Sequence, residues 1–316
     1  MATAKTYTVD DLLDSVKARG TIPTTTGNIS DADMLRFANE EIDENLGPII
    51  LGMREEFYLT YEDITLVAGQ KEYSIPYRAY GSKIRVIKPI QSNIEGYPLV
   101  QIPIDQTSLY TNTQYNVPVR GFYLKNDKFV LVTDPSGLGT STLRVYFYLR
   151  PNNMVELANG SKITAIDTAT KTVTVDAIPT SIRDADELDF IQALPNHKIY
   201  DYDFVPSVVN TTTKQITFSD DLPTELQVGD YICAAGETVV PQVPSDVLPL
   251  LEQSVTCKVL EAVGDTEGLQ NALLRLQKIE KNVYQLIDSR VEAPPRKIVN
   301  TTSFVRRRNR GSGSSF

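Results

Sequence analysis

A chain of 316 residues exceeds one comfortable core, so two units, or a body with a large insertion, are expected. Its 41% hydrophobic and 22% charged content is ordinary for a globular protein and excludes collagen-like and fully disordered classes. No run approaches the roughly 18 apolar residues of a membrane helix, which excludes a spanning segment.

The opening, MATAKTYTVDDLLDSV, lacks the basic and apolar regions of a secretory signal, so synthesis in a cytoplasm is expected. The sequons at Asn28, Asn210 and Asn300 then carry little meaning. Thr8-Val9-Asp10-Asp11 reads as a capped helix start, with a stop at Gly20. Ser30 caps a second helix, in which Leu35, Ala38, Ile42, Leu46, Ile49, Met53 and Phe57 recur every three or four residues. Pro48 predicts a kink or break there.

From Tyr61 to about Val240 the apolar period changes to two. ITLVAG, KEYSIP, KIRVIKPI, PLVQIPI, FYLKNDKFVLV and TLRVYFYLR read as strands. Asn126-Asp127 is placed to turn one hairpin, and Asp134-Pro135-Ser136-Gly137 ends its second strand. An internal repeat follows: SKITAIDTATKTVTVDAIPTSI with DELDFI resembles SVVNTTTKQITFSDDLPTEL with VGDYI, and Lys171 matches Lys214 at an offset of 43. Modules this short are expected to share one small barrel or sandwich.

Helix returns where Ser245 is read as the cap of VLPLLEQSVTCKVLEAV, apolar almost all round and so expected to be buried. A last helix, from about Thr266 to Arg290, places Leu269, Leu273, Leu276, Ile279, Val283, Leu286 and Ile287 on one face. The architecture expected is α+β. Residues 1–60 and 245–292 form one discontinuous helical bundle, 61–244 an all-β insertion with its tandem repeat at about 161–235, and 293–316 an extended tail.

That tail carries charge of the opposite sign. The chain has 31 basic and 40 acidic residues, and six basic ones with no acid lie in 296–316, so residues 1–295 hold 25 against 40. The tail follows Ala293-Pro294-Pro295 and has too few apolar residues to offset its own ordering entropy. Such segments order on a partner. The apolar residues Ile298, Val299, Phe304, Val305 and Phe316, interleaved with Arg306, Arg307, Arg308 and Arg310, favour a protein over a purely electrostatic nucleic-acid arm.

Signals for chemistry are sparse. His197 is the single histidine, and only Asp201 and Asp203 stand near it, so a solvated loop histidine is expected. Asp184, Asp186, Glu187 and Asp189 lack the glycine and distal glutamate of a calcium loop and read as a solvated loop. Gly137 and Gly139 are followed by a strand, not the helix a phosphate site needs. Tyr123, Phe129, Tyr146, Phe147 and Tyr148 read as strand packing, not a base-stacking platform. Cys233 and Cys257 are too few for a disulfide framework or a cysteine zinc site, and read as small buried groups. No catalytic, cofactor or metal residue is assigned.

YTVDDLLDSVKARGTIP and SDADMLRFANEEI, followed by ITLVAGQKEYSIP and AYGSKIRVIKPI, resemble the opening of the head–tail adaptor (connector, or head-completion) proteins of tailed bacteriophages. Within that group the chain resembles the P22-type tail accessory factors of short-tailed phages. The likeness covers residues 7–90 and, by layout only, the C-terminal helices and tail; the long β region at 98–244 departs from the smaller adaptors.

The resemblance implies a structural virion protein without enzymatic activity: a ring, usually of twelve copies, joining the portal protein to a tail or nozzle protein. Phe304, Val305, Arg306, Arg307, Arg308, Arg310 and Phe316 would then meet the portal. An acidic body suits a channel through which DNA slides without specific binding, because negative walls gain nothing from counterion release. The alternative is a receptor- or carbohydrate-binding virion appendage built on the β repeats, with surface aromatics and acidic pairs along one edge. A third reading, a hydrolase using His197 and its carboxylates, has no partner set at catalytic spacing.

Overall fold

A computed structural model describes residues 6–21, 29–92, 94–107, 121–132, 134, 138, 140–195 and 197–287. The tail with all seven expected portal-contact residues, Gly137 and Gly139, and the side chains of Leu286 and Ile287 lie outside the described residues.

Helix α1 (Val9–Gly20) and helix α2 (Asp31–Glu41) each begin with a reciprocal capping box, Thr8 with Asp11 and Ser30 with Asp33. A π turn (Ile42–Leu46) then leads into α3 (Gly47–Met53). The cause is Pro48. Its ring and missing N–H disfavour a regular turn across 44–48, and the π turn absorbs the conflict as Gly47 N–H bonds back to Ile42 O. The bypassed Asp43 carbonyl accepts from the Tyr80 hydroxyl at 2.6 Å.

Gly47 is required at this turn, since a Cβ would stand 2.7 Å from Tyr80 Oη and 2.9 Å from Ile42 O. Gly47→Ala is expected to cost about 1–3 kcal/mol through overpacking, read from the urea midpoint. An unchanged midpoint would show that the π turn is not held by this contact.

The strands β1 (Leu59–Thr65), β2 (Glu72–Ser74), β3 (Ala79–Gln91), β4 (Ile94–Glu95), β5 (Val100–Gln101), β6 (Gly121–Lys125), β7 (Lys128–Leu131) and β8 (Thr142–Leu149) form two sheets, ordered β1-β8-β3-β4 and β2-β7-β6-β5. Strand β8 alternates strictly. Leu143, Val145, Phe147 and Leu149 enter a core shared with Tyr73, Ile87, Phe122, Phe129 and Leu131, while Arg144, Tyr146 and Tyr148, all half-buried, lie on the opposite face of the sheet. Asn126 takes a left-handed φ of 53° in the two-residue turn between β6 and β7.

The repeat occupies one further sheet. Its strands are β10 (Ser161–Asp167), β11 (Thr172–Val175), β12 (Leu188–Ile191), β13 (Ile199–Phe204), β14 (Pro206–Asn210), β15 (Gln215–Phe218) and β16 (Tyr231–Ala234); a single helical turn, α4 (Thr180–Arg183), precedes β12. They pair in the order β13-β12-β16-β10-β11-β15-β14. Only Val205 separates the two edge strands, β13 and β14, along the chain, so the sheet curls round one shared core as an open barrel whose edges meet at that residue.

A pseudo-twofold axis relates its halves. Asp167 Oδ1 accepts from the backbone N–H groups of Ala169 and Thr170, as Asn210 Oδ1 does from those of Thr212 and Thr213. Lys171 and Lys214, at φ 52° and 55°, donate reciprocally to Ser219 O at 2.8 Å and Asp176 O at 2.6 Å. Inside, Phe190, Phe204 and Phe218 lie with ring centres 5.1–5.8 Å apart, among Ile163, Val173, Ile216 and Ile232.

Helices α5 (Leu248–Val263) and α6 (Thr266–Ile287) end the described chain. Ser245 is not the cap of α5; Val247 stands at that position without a side-chain cap, and Pro249 occupies the first turn. Helix α5 is buried on nearly every side, between α1, α2 and α6.

The expected α+β arrangement, a terminal helical bundle carrying a β insertion, is overturned. The chain is a mixed α/β structure built mostly of sheet, with four sheets among the described residues, one of them seven-stranded. The helices have no self-contained core. Theirs is completed by Met154 and Tyr148 and by Val243 on the way back from the barrel. The parallel pair β9 (Asn153–Met154) and β17 (Glu237–Thr238) ties the two regions further, as do the bond from Val9 N to Val239 O and the bonds between Asn39 and the Met154 backbone. The physical reason is area. Helices α1, α2 and α6 do not cover the whole of a helix that is apolar all round, so the β region supplies the remaining surface.

Candidate functional site: an acidic groove over a buried ion-pair node

Strands β1 and β13, with the Ser74–Tyr77 segment, enclose a groove of about 640 Å³. The residues that give it character are Tyr77, Tyr200 and Tyr202 with Glu62, Asp201 and Asp203. Tyr77 is 71% exposed at the rim.

Behind the groove, and tied to it through the lining residue Asp203, lies Arg78, 8% exposed. Its Nη2 donates to Asp189 Oδ2 at 2.7 Å and Asn152 Oδ1 at 2.6 Å, and its Nη1 donates to Asp203 Oδ1 at 2.9 Å. Asp189 has no exposed surface. It also accepts from Asn152 Nδ2 at 2.6 Å and from the backbone N–H groups of Gly236 and Asp203, both at 3.0 Å. Burial works against the guanidinium charge, but the charge and hydrogen bond of Asp189, helped by Asp203, outweigh it and hold the Arg78 pKa above its ordinary value.

Glu62 and Asp201 have no basic partner at ion-pair distance among the described residues. Burial pushes the Glu62 carboxyl up, and the charge of Asp203 adds to it. Burial also raises Asp201, opposed by the Tyr202 N–H and reinforced by Asp189, Asp203 and Asp220. The groove is therefore an aromatic cleft with unneutralised acidity. It suits a cationic or hydroxyl-rich ligand.

Two expectations about candidate residues need correction. His197 is not solvated: it is 3% exposed, and its Nδ1–H donates to the Pro241 carbonyl at 3.2 Å, while burial pushes its pKa down. Asp201 and Asp203 face the groove, and neither is bonded to it. Asp189 is likewise no part of a solvated loop, although Asp184 of the same acidic run is exposed and pairs with Arg183. Among the described residues no group of three or more His, Cys, Asp or Glu is placed to hold a metal. Cys233 and Cys257 are buried free thiols. Phe129 and Phe147 are fully buried strand residues.

Arg78 and Asn152 were not singled out from the sequence. Only the acid partner left a trace, because Asp189 sits between Leu188 and Phe190 in a strand with no exposed face.

Two further surfaces stand uncovered. Helix α6 packs on α5 through Leu269, Ala272, Leu276 and Ile279, leaving Leu274 68% exposed; Leu273, expected on the packed face, is itself 42% exposed. On the sheet side Ile94, Tyr97, Val100 and Ile104 are all more than half exposed. No helix among the described residues is long and apolar enough to cross a membrane. No protein-family model and no curated protein matches this chain.

Proposed function

We propose that this chain is a structural virion protein, the subunit of a head–tail adaptor ring that joins a portal to a tail and forms part of the DNA channel. The reading rests on the resemblance of residues 7–90, and one structural observation carries it further. The two uncovered apolar surfaces are unlike, one on α6 and one along residues 94–104. A twofold dimer needs one self-complementary patch, whereas a head-to-tail ring needs two different ones. The partners are other copies of the chain in a ring of about twelve, the portal, and a tail or nozzle protein. Its place is the virion, after synthesis in the host cytoplasm.

The ring assignment is tested by mass measurement with and without portal. Leu274→Asp and Val100→Asp should each abolish the ring. Mixed together, each mutant retains one good face, so the pair should form heterodimers and nothing larger. Rings that persist in both single mutants, or a wild-type chain that stays monomeric even with portal, would sink the proposal.

The groove favours a second reading, the receptor- or carbohydrate-binding appendage, because Tyr200, Tyr202, Asp201 and Asp203 line one edge of the repeat barrel. Tyr77→Ala should then abolish glycan binding while leaving assembly intact; under the adaptor reading the wild type binds no glycan.

A further inference from the structure

A cavity of about 70 Å³ lies where β1, the end of β8 and the loop between β12 and β13 meet the chain leading to α5. Arg150, Lys198, His197 and Gln242 line it, and none of its lining residues is acidic. In a chain with 40 acidic residues that lining is unusual.

Three observations make it more than a gap. Arg150 and Lys198 have no carboxylate at ion-pair distance among the described residues, although Asp43 lies within electrostatic reach of Arg150 and Lys198 Nζ lies 6.0 Å over the Phe57 ring. Gln242, 3% exposed, has its Oε1 fixed by the Asn152 N–H at 2.7 Å, which settles the orientation of the amide. Its Nε2 is then a buried donor without an acceptor, a costly arrangement unless something binds it. With Nδ1–H committed to the Pro241 carbonyl, the other nitrogen of the buried His197 ring has no protein partner.

We propose that this cavity is a binding site for a small oxyanion, held by the Gln242 amide and by Arg150 and Lys198 at its mouth, with His197 as the group that feels its charge. Charge-assisted hydrogen bonds from a guanidinium, an ammonium and a neutral amide are the usual means of holding such an ion. The titratable groups facing His197 are Lys198 beside it, Arg150 from the end of β8 and the buried Tyr58, whose hydroxyl donates to Gln242 O; behind them Asp43 of the π turn acts on both Arg150 and Tyr58. An anion among them favours the imidazolium, so it raises the His197 pKa and binds more tightly as pH falls. The ion would fasten sandwich, barrel and helical layer at one point. This site is independent of the adaptor assignment.

Sulfate is the suitable probe, because its charge is constant across the histidine range. His197 is the only histidine, so its ring protons give one unambiguous NMR titration. Sodium sulfate should raise the midpoint by about half a pH unit or more relative to sodium chloride at matched ionic strength. Arg150→Gln and Lys198→Gln, both at exposed positions, should fold normally and weaken sulfate at least tenfold. Gln242→Glu keeps the acceptor for Asn152 N–H but replaces the donor with a charged oxygen. It should raise the midpoint without sulfate and abolish the response to it. An unmoved midpoint in the wild type would mean that the cavity holds only water. A shift that the three substitutions leave unchanged would mean that sulfate acts elsewhere, and either result overturns the proposal.

Discussion

Arg78→Met should lower the unfolding free energy by about 3–5 kcal/mol, because it leaves the buried Asp189 carboxylate without its counter-charge. That is a large share of the roughly 5–15 kcal/mol that holds a typical domain folded. The site explains why the loss is not local. Arg78 opens β3, Asn152 precedes β9, Asp189 and Asp203 belong to the barrel, and Gly236 leads into β17. One guanidinium therefore joins the sandwich, the barrel and the parallel pair that reaches the helices. Arg78→Lys should not restore the loss, since an ammonium is a point charge and cannot reach three separate acceptors in the fork geometry.

A pH signature distinguishes this account from simple loss of packing. In Arg78→Met the penalty falls on the charged carboxylate, buried without a counter-charge, and not on a neutral carboxyl in the same place. The deficit of the variant should therefore shrink between neutral pH and about pH 4.5, as read by urea unfolding at both. A deficit that is the same at both values would assign the effect to lost side-chain volume instead.

Much of the local structure could be read from the residues, because its causes are local. Thr8 and Ser30 cap helices through residues three positions on, Pro48 disturbs the turn before it, and Asn126-Asp127 is a two-residue hairpin turn by its own chemistry. The offset of 43 is also legible, since both hairpins use the same side-chain-to-backbone turn and the same reaching lysine. Assembly was not legible. Helical periodicity at both ends suggested a frame, but periodicity says only that a face is buried, not what buries it. Met154 and Tyr148 from the β region do so here. Arg78 and Asp189 stand 111 positions apart, and no local pattern pairs them. The burial of His197 follows from the Pro241 carbonyl, 44 positions on, which the sequence around the histidine cannot reveal.

If the chain is the adaptor proposed above, deleting residues 296–316 should leave a folded protein that fails to stay on DNA-filled heads, so that particles leak their genome. The choice of this segment follows from the charge division: an acidic body of 25 basic against 40 acidic residues ends in a segment with six basic residues and no acid. In an extended conformation, SFVRRR can add main-chain hydrogen bonds to an exposed strand edge while alternate side chains enter pockets. Each arginine that forms a shielded, charge-assisted pair contributes about 1.5–3 kcal/mol, and almost nothing if the pair stays exposed. Losing Arg306, Arg307 and Arg308 together therefore spans the range from tight retention to none. Replacing those three by glutamine should weaken attachment to the portal, and the wild-type attachment should weaken as salt rises. Phe304→Ala and Phe316→Ala should weaken it with little salt dependence, because their contribution is apolar burial. Sedimentation of portal with full-length and truncated chains at two salt concentrations measures all of these. If the truncated chain binds portal as well as the full-length one and loses only its affinity for naked DNA, the segment is a nucleic-acid arm. Its assignment to the portal then fails.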